Sequence, residues 1–237
     1  MAISTNPLAW LRSVQPRRAI ALLLLLLPLT VGAQTVRDLW LSMPPSLAPY
    51  LSTSLRTQCL DFYDMHTDAQ TDNALKGKSR IDTLTSTFLA ATLSKAHTLQ
   101  MKLLPASGSG LGSSLGSGSV SSSSLSSCDS VLCVVRSWDG PKRDSEVQLF
   151  DRQWKPLQAP LTFSADSFVC RPDTMSEERF SRLVAMLDPI MFSVSLSPAE
   201  NVLLVKLSPV VPNPEDEKAI EQILVQRKLK WDGKTFK

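Results

Sequence analysis

A series of short strand-like runs follows one after another between Ile81 and Phe150, separated by turns and by one long Ser/Gly segment. In "HTLQMKLL", Leu99, Met101 and Leu103 alternate with Gln100 and Lys102, the period of two of a strand with one buried and one wet face. "SVLCVVRSW", Ser130 to Trp138, is uniformly apolar at its start, as in a strand covered on both sides or central in its sheet. Asp139-Gly140-Pro141 then turns the chain. In "SEVQLFD", Val147 and Leu149 alternate with Glu146, Gln148 and Phe150. Parallel pairing needs a crossover of a dozen or more residues, so runs this close predict antiparallel neighbours. Ile81–Thr87 precedes them as a further strand, and so does Phe88–Leu93, where the Ala pair favours helix locally but the strand-like run that follows and "SKAH" as a turn favour strand.

Helical signals flank this block. "VRDLWLSM" is a short helical turn ended by Pro44-Pro45, and a longer helix starts near Ser52 or Thr53, with Leu55, Cys59, Phe62 and Met65 or His66 at helical spacing. "TMSE" fits a capping box from Thr174 to Glu177, ahead of the apolar stripe Phe180, Leu183, Val184 and Leu187. "IMFSVSL" and "VLLVKLSP" read as a hairpin. Asn213 is the expected N-cap of a last helix, with Pro214 in its first turn and Ile220, Ile223 and Leu224 facing inward. A strand with an Asp232-Gly233 turn closes the chain. Strands outnumber helices and seldom alternate with them, which predicts an α+β fold with mainly antiparallel sheet in a single domain. Residues 106–127 are then a disordered Ser/Gly loop inside that domain, 34–237, rather than a linker between two.

Arg17 and Arg18, the apolar run Ala19 to Val31 and the small residues up to Ala33 have the pattern of a signal peptide over residues 1–33. The expected location is therefore periplasmic or extracellular. The chain has 25 Lys+Arg and 22 Asp+Glu; the first 33 residues hold Arg12, Arg17 and Arg18 and no acid, which leaves 22 bases against 22 acids. A neutral remainder gives no global charge for nucleic acid. No later apolar run is long enough to span a membrane as a helix. Export permits disulfides among Cys59, Cys128, Cys133 and Cys170, but Cys133 sits in an apolar run that suits a buried thiol, and the pairing stays open.

Chemistry-bearing residues are sparse. His66 lies among Asp61, Asp64 and Asp68, a candidate set for a hard cation, with neither the glycine of a calcium loop nor a second His for zinc. A solvated acidic helix face accounts for the same residues. Cys59 and His66 could meet on a helix as a nucleophile and base. His97 reads as an ordinary surface or edge histidine. No G-x-S-x-G elbow is present, and "GSGLGSSLGSGS" lacks the Lys-Ser/Thr of a phosphate loop. "RSWDGPKRD" places Arg136, Trp138, Lys142 and Arg143 at one hairpin tip, a candidate contact for a protein or glycan partner. No cofactor is implied.

"RDLWLSMPPSLAPYL", "LKGKSRIDTLTSTFLAATLS", "LQMKLLP", "DSVLCVVRSWDGPKRDSEVQLFDRQWKPL", "MLDPIMFSVSLSP" and "WDGKTF" together resemble domain-of-unknown-function family 3256, small exported proteins of Bacteroidales. The resemblance runs in order from Val36 to Phe236 and departs at Ala106 to Ser127, where a shorter connection is usual. It implies an exported bacterial protein and carries over no catalytic residue. Three functional classes stay open: a non-enzymatic binding module, a metal-dependent or cysteine-based hydrolase built on His66 and its aspartates, and a small-ligand carrier.

Overall fold

The computed structural model describes residues 34–107, 130–211 and 213–237. The segment expected as a signal peptide, and all but Ala106 and Ser107 of the Ser/Gly segment, lie outside the described residues. Six strands, β1 (Thr71–Asp72), β2 (Lys78–Leu84), β3 (Phe88–Ser94), β4 (His97–Pro105), β5 (Ser130–Asp139) and β6 (Arg143–Phe150), form an antiparallel sheet in sequence order. A second antiparallel sheet holds β7 (Phe192–Leu196), β8 (Val202–Leu207) and β9 (Arg227–Lys230). Four helices are described: α1 (Val36–Ser42), α2 (Thr53–Asp64), α3 (Glu177–Ala185) and α4 (Pro214–Glu221). The fold is α+β with antiparallel sheets.

The strands on either side of the Ser/Gly segment are direct neighbours, in register from His97 opposite Trp138 to Pro105 opposite Ser130. Their facing ends could be joined by a short hairpin loop. Deleting residues 109–126 removes about three quarters of the connection, and two halvings of loop length are worth about 1.2 kcal/mol of closure entropy. We expect the deleted chain to melt cooperatively, with its stability to urea changed by no more than about that amount. Loss of the cooperative transition would mean that the segment supports the sheet.

The six-stranded sheet is the middle of three layers. Leu89, Ala91, Leu99, Met101, Leu132 and Val134 pack on one side with Leu39 and Trp40 of α1 and with Cys59 and Leu60 of α2. Val131, Cys133, Val135, Val147 and Leu149 pack on the other with Val194, Leu196, Leu203 and Val205 of the second sheet and with Leu183 and Ile220 of α3 and α4. Cover on both faces is why β5 begins with six buried residues in a row.

The second sheet also changes the reading of β4. Lys102, expected on a wet face, is 2% exposed. Its ammonium donates to the carbonyls of Ser197, Pro198 and Glu200 at 2.6, 3.0 and 2.8 Å. The β7–β8 loop thus replaces the water a buried cation would lose. Gln100, from the same face, accepts from the Leu196 amide at 2.8 Å. Asp144 and Ser145 accept from the amides of Phe192 and Val194, so β6 and β4 side chains cap the edge of β7. Phe150, expected beside wet Glu146 and Gln148, is buried edge-on against Trp154 at 5.5 Å.

The helices start where local chemistry allows. Thr35 and Asp38 form a reciprocal capping box at α1. Ser52 caps α2, whose inward side is Arg56, Cys59 and Leu60; Met65, expected on that stripe, is exposed beyond the helix. The capping box expected from Thr174 to Glu177 does not form. Met175 is buried, and its amide bonds to the Pro172 carbonyl in a turn, so α3 begins later with Ser176 as the cap. Asn213 caps α4 as expected, accepting from the Glu215 amide.

Candidate functional site

The acidic row around His66 is dispersed. Helix α2 ends at Asp64, and His66 has φ 51, a left-handed conformation that turns the chain away from the helix axis. Asp61, Asp64 and Asp68 therefore do not share one helical face. Asp64 is paired with Arg37, and Asp72, in β1, pairs with Lys78 at 2.6 Å. Among the described residues no three His, Cys, Asp or Glu side chains gather closely enough to hold a metal.

His66 and Asp68 instead line a cleft of about 350 Å³ beside β2, with Cys59, Tyr63, Arg80 and Asp82. Asp61 and Asp64 are not part of its wall. Cys59 is 2% exposed, and burial pushes its thiol pKa up, which favours the unreactive protonated form over the thiolate. Asp82 is held by Arg80 and Thr92, both at 2.7 Å. The cleft thus brings a thiol and an imidazole to one wall, with the thiol held in its protonated form. Cys59 and Cys133 are buried free thiols, Cys170 is an exposed one, and Cys128 lies outside the described residues.

The β5–β6 hairpin gives a more ordered arrangement, and it divides the four residues predicted there. Alternation sends Arg136 and Trp138 toward the helical side of the sheet. Trp138 is 39% exposed and stacks on His97, its direct partner on β4, with ring centres 5.2 Å apart and planes 10° from parallel. The Arg136 guanidinium sits 5.4 Å from the centre of the indole and donates to Glu146 at 2.6 Å. Tyr50, from the α1–α2 connection, bonds through its hydroxyl to His97 Nδ1. Lys142 and Arg143 point elsewhere. Lys142 pairs with Glu217 on α4, and Arg143 grips Asp139 with two bonds, at 2.7 and 3.0 Å. Each cation of the tip thus has a carboxylate partner.

His97 is a correction to the expected surface histidine. It is 7% exposed, and burial, reinforced by the positive charge of Arg136, lowers its pKa to about 4. Sequence reasoning also missed Tyr50. Pairing "HTLQ" against "RSWD" would have brought His97 to Trp138, but nothing local places Tyr50 beside them.

Residues 28–111 and 119–236 match the profile described as "Protein of unknown function (DUF3256)". The chain belongs to the DUF3256 family. The interval in the match, residues 112–118, falls within the Ser/Gly segment, where this DUF3256 chain is expected to depart from its relatives. A solved structure, "Structure of a domain of an uncharacterized protein from Porphyromonas gingivalis W83", is 22% identical, with a TM-score of 0.58 over 85% of this chain and 98% of that one. At that identity the likeness speaks for the fold. No curated protein matches this DUF3256 chain. No helix among its described residues is long and apolar enough to cross a membrane.

Proposed function

We propose that the protein is an exported, non-enzymatic binding module of the bacterial envelope, whose contact surface is the strip formed by Trp138, Arg136 and Tyr50. The observation that carries this reading is the partly exposed indole, braced against buried His97 and set beside a guanidinium on a paired strand. Trp, Tyr and Arg are the residues in which binding energy concentrates at protein interfaces, and a pre-ordered anchor loses little entropy on docking. The pairing of Arg136 with Glu146 argues for a protein partner over an acidic glycan on this strip. The apolar run at residues 19–31, behind Arg17 and Arg18, supports export.

Affinity capture from envelope extract, with the native chain and the Trp138→Ala variant, tests the surface. We expect one reproducible partner whose affinity falls about 30-fold in the variant, the loss of a 2 kcal/mol anchor, with a cooperative melting transition kept. Equal capture by both chains would remove this surface. Cell fractionation with mass spectrometry of the amino terminus tests export, and a start at Gln34 in the envelope or periplasm is the expected result.

A further inference from the structure

The outward face of the three-stranded sheet carries a second set of groups that the hairpin surface does not use. Register places Ser193 opposite Lys206, Ser195 opposite Leu204, and Leu204 opposite Lys228, so these side chains share one face. Arg143, from the neighbouring β6, joins Ser193, Ser195, Leu204, Lys206 and Gln226 around a trough of about 250 Å³. No carboxylate lines this trough among the described residues. Arg143 uses Nε and Nη2 on Asp139 and keeps Nη1 for another acceptor. Two cations, two hydroxyls and a side-chain amide are a donor set for a tetrahedral oxyanion. With bases and acids balanced beyond residue 33, this is a local gathering of positive charge, extended on the same face by Lys230, opposite Val202, while Lys228 there is paired with Glu200.

The trough adjoins a groove of about 310 Å³ between α4 and the end of β8, and the two share Lys206 and Gln226. Leu207, Val211, Ile220, Leu224 and Val225 give that groove an apolar wall. The groove also carries Glu217, paired with Lys142, and Glu221. An anion site opening onto a groove with one apolar wall suits a ligand with both characters. We propose that this face binds an amphiphilic phosphate monoester, with the phosphate held by Arg143, Lys206 and the two serines and the apolar portion lying along Val211 and Leu224.

The test is calorimetric titration of the chain with three probes: monomeric dihexanoyl phosphatidic acid, dihexanoylglycerol and inorganic phosphate. We expect phosphatidic acid to bind at least tenfold more tightly than either of the others. Lys206→Gln and, separately, Ser195→Asp should each weaken phosphatidic acid about tenfold, the value of one charge-assisted hydrogen bond. Val211→Asp should weaken phosphatidic acid and leave inorganic phosphate unchanged. Melting curves identify any variant that has lost its fold. No binding of phosphatidic acid, affinity equal to that of inorganic phosphate, or unchanged affinity in both folded trough variants overturns the proposal. Trp138→Ala should leave this titration unaltered, so its outcome is separate from that of the hairpin surface.

Discussion

Acidification from pH 7 to pH 4 is expected to remove about 3 kcal/mol of folding stability through His97 alone. The imidazole is lowered from its ordinary 6.5 to about 4 in the folded chain, chiefly by burial and then by Arg136. A group whose folded pKa is depressed binds its proton first in the unfolded chain. Its contribution is fully present above pH 6.5 and is lost as the pH falls toward 4, at about 1.4 kcal/mol for each tenfold difference in proton affinity between the folded and unfolded chain. The geometry explains the direction. An imidazolium must donate from both ring nitrogens; Nδ1 faces the Tyr50 hydroxyl, but buried Nε2 has no partner among the described residues. The new charge would also enter a stack that already holds a guanidinium.

Urea unfolding at pH 7, 5.5 and 4, with native chain and the His97→Phe variant, isolates this effect. The native chain should lose most of the 3 kcal/mol between the first and last of these pH values. The variant should be nearly flat over the same window. Asp38, which Thr35 holds below the usual carboxylate range, acts lower on the scale, because an unfolded Asp titrates only near pH 4. Parallel pH slopes in the two chains would show that the loss does not arise at His97. The same window matters for the proposed contact surface, since His97 is the ring on which Trp138 rests.

Much of the middle layer was legible from residues alone. The alternation of Leu99, Met101 and Leu103 and the unbroken apolar start of β5 both point to a sheet, and the apolar start to a strand that is covered on two sides or central. Asn213-Pro214 marked a helix start because its capping chemistry is local. What escaped was set by distant layers. Lys102 reads as wet until the β7–β8 loop supplies three carbonyls from residues almost a hundred positions away. His97 reads as an edge histidine until Tyr50 and Trp138 close over it. The acidic row reads as helical until His66 turns the chain, a backbone event that spacing does not record. The hairpin tip reads as one cluster in the sequence, but its division into two surfaces follows from strand alternation together with the position of α4.

Replacing Arg56 by Met is expected to cost about 3 kcal/mol, although the substitution keeps an unbranched apolar stem at a buried site. Arg56 is 3% exposed, and its guanidinium has no carboxylate partner among the described residues. Nη1 donates instead to the carbonyls of Trp40, at 3.1 Å, and of Met43, while Nη2 reaches Thr53 Oγ1 at 3.0 Å. Those carbonyls end α1, where the last turn has no intrahelical donors and the helix dipole favours a cation. Trp40 completes the exchange by donating its indole N–H to the Arg56 carbonyl at 3.0 Å. In Arg56→Met both carbonyls remain buried without this donor, each at about 1–3 kcal/mol, offset in part because no charge is buried any longer. For a unit of this size the expected drop in melting temperature is about 6–12 °C. Trp40→Phe removes the reciprocal bond, and the double variant should lose less than the sum of the single losses, because both bonds join α1 to α2. Strict additivity would mean that the two bonds hold the helices independently. A loss below about 1 kcal/mol in Arg56→Met would mean that water reaches the end of α1 and takes over the role of the guanidinium.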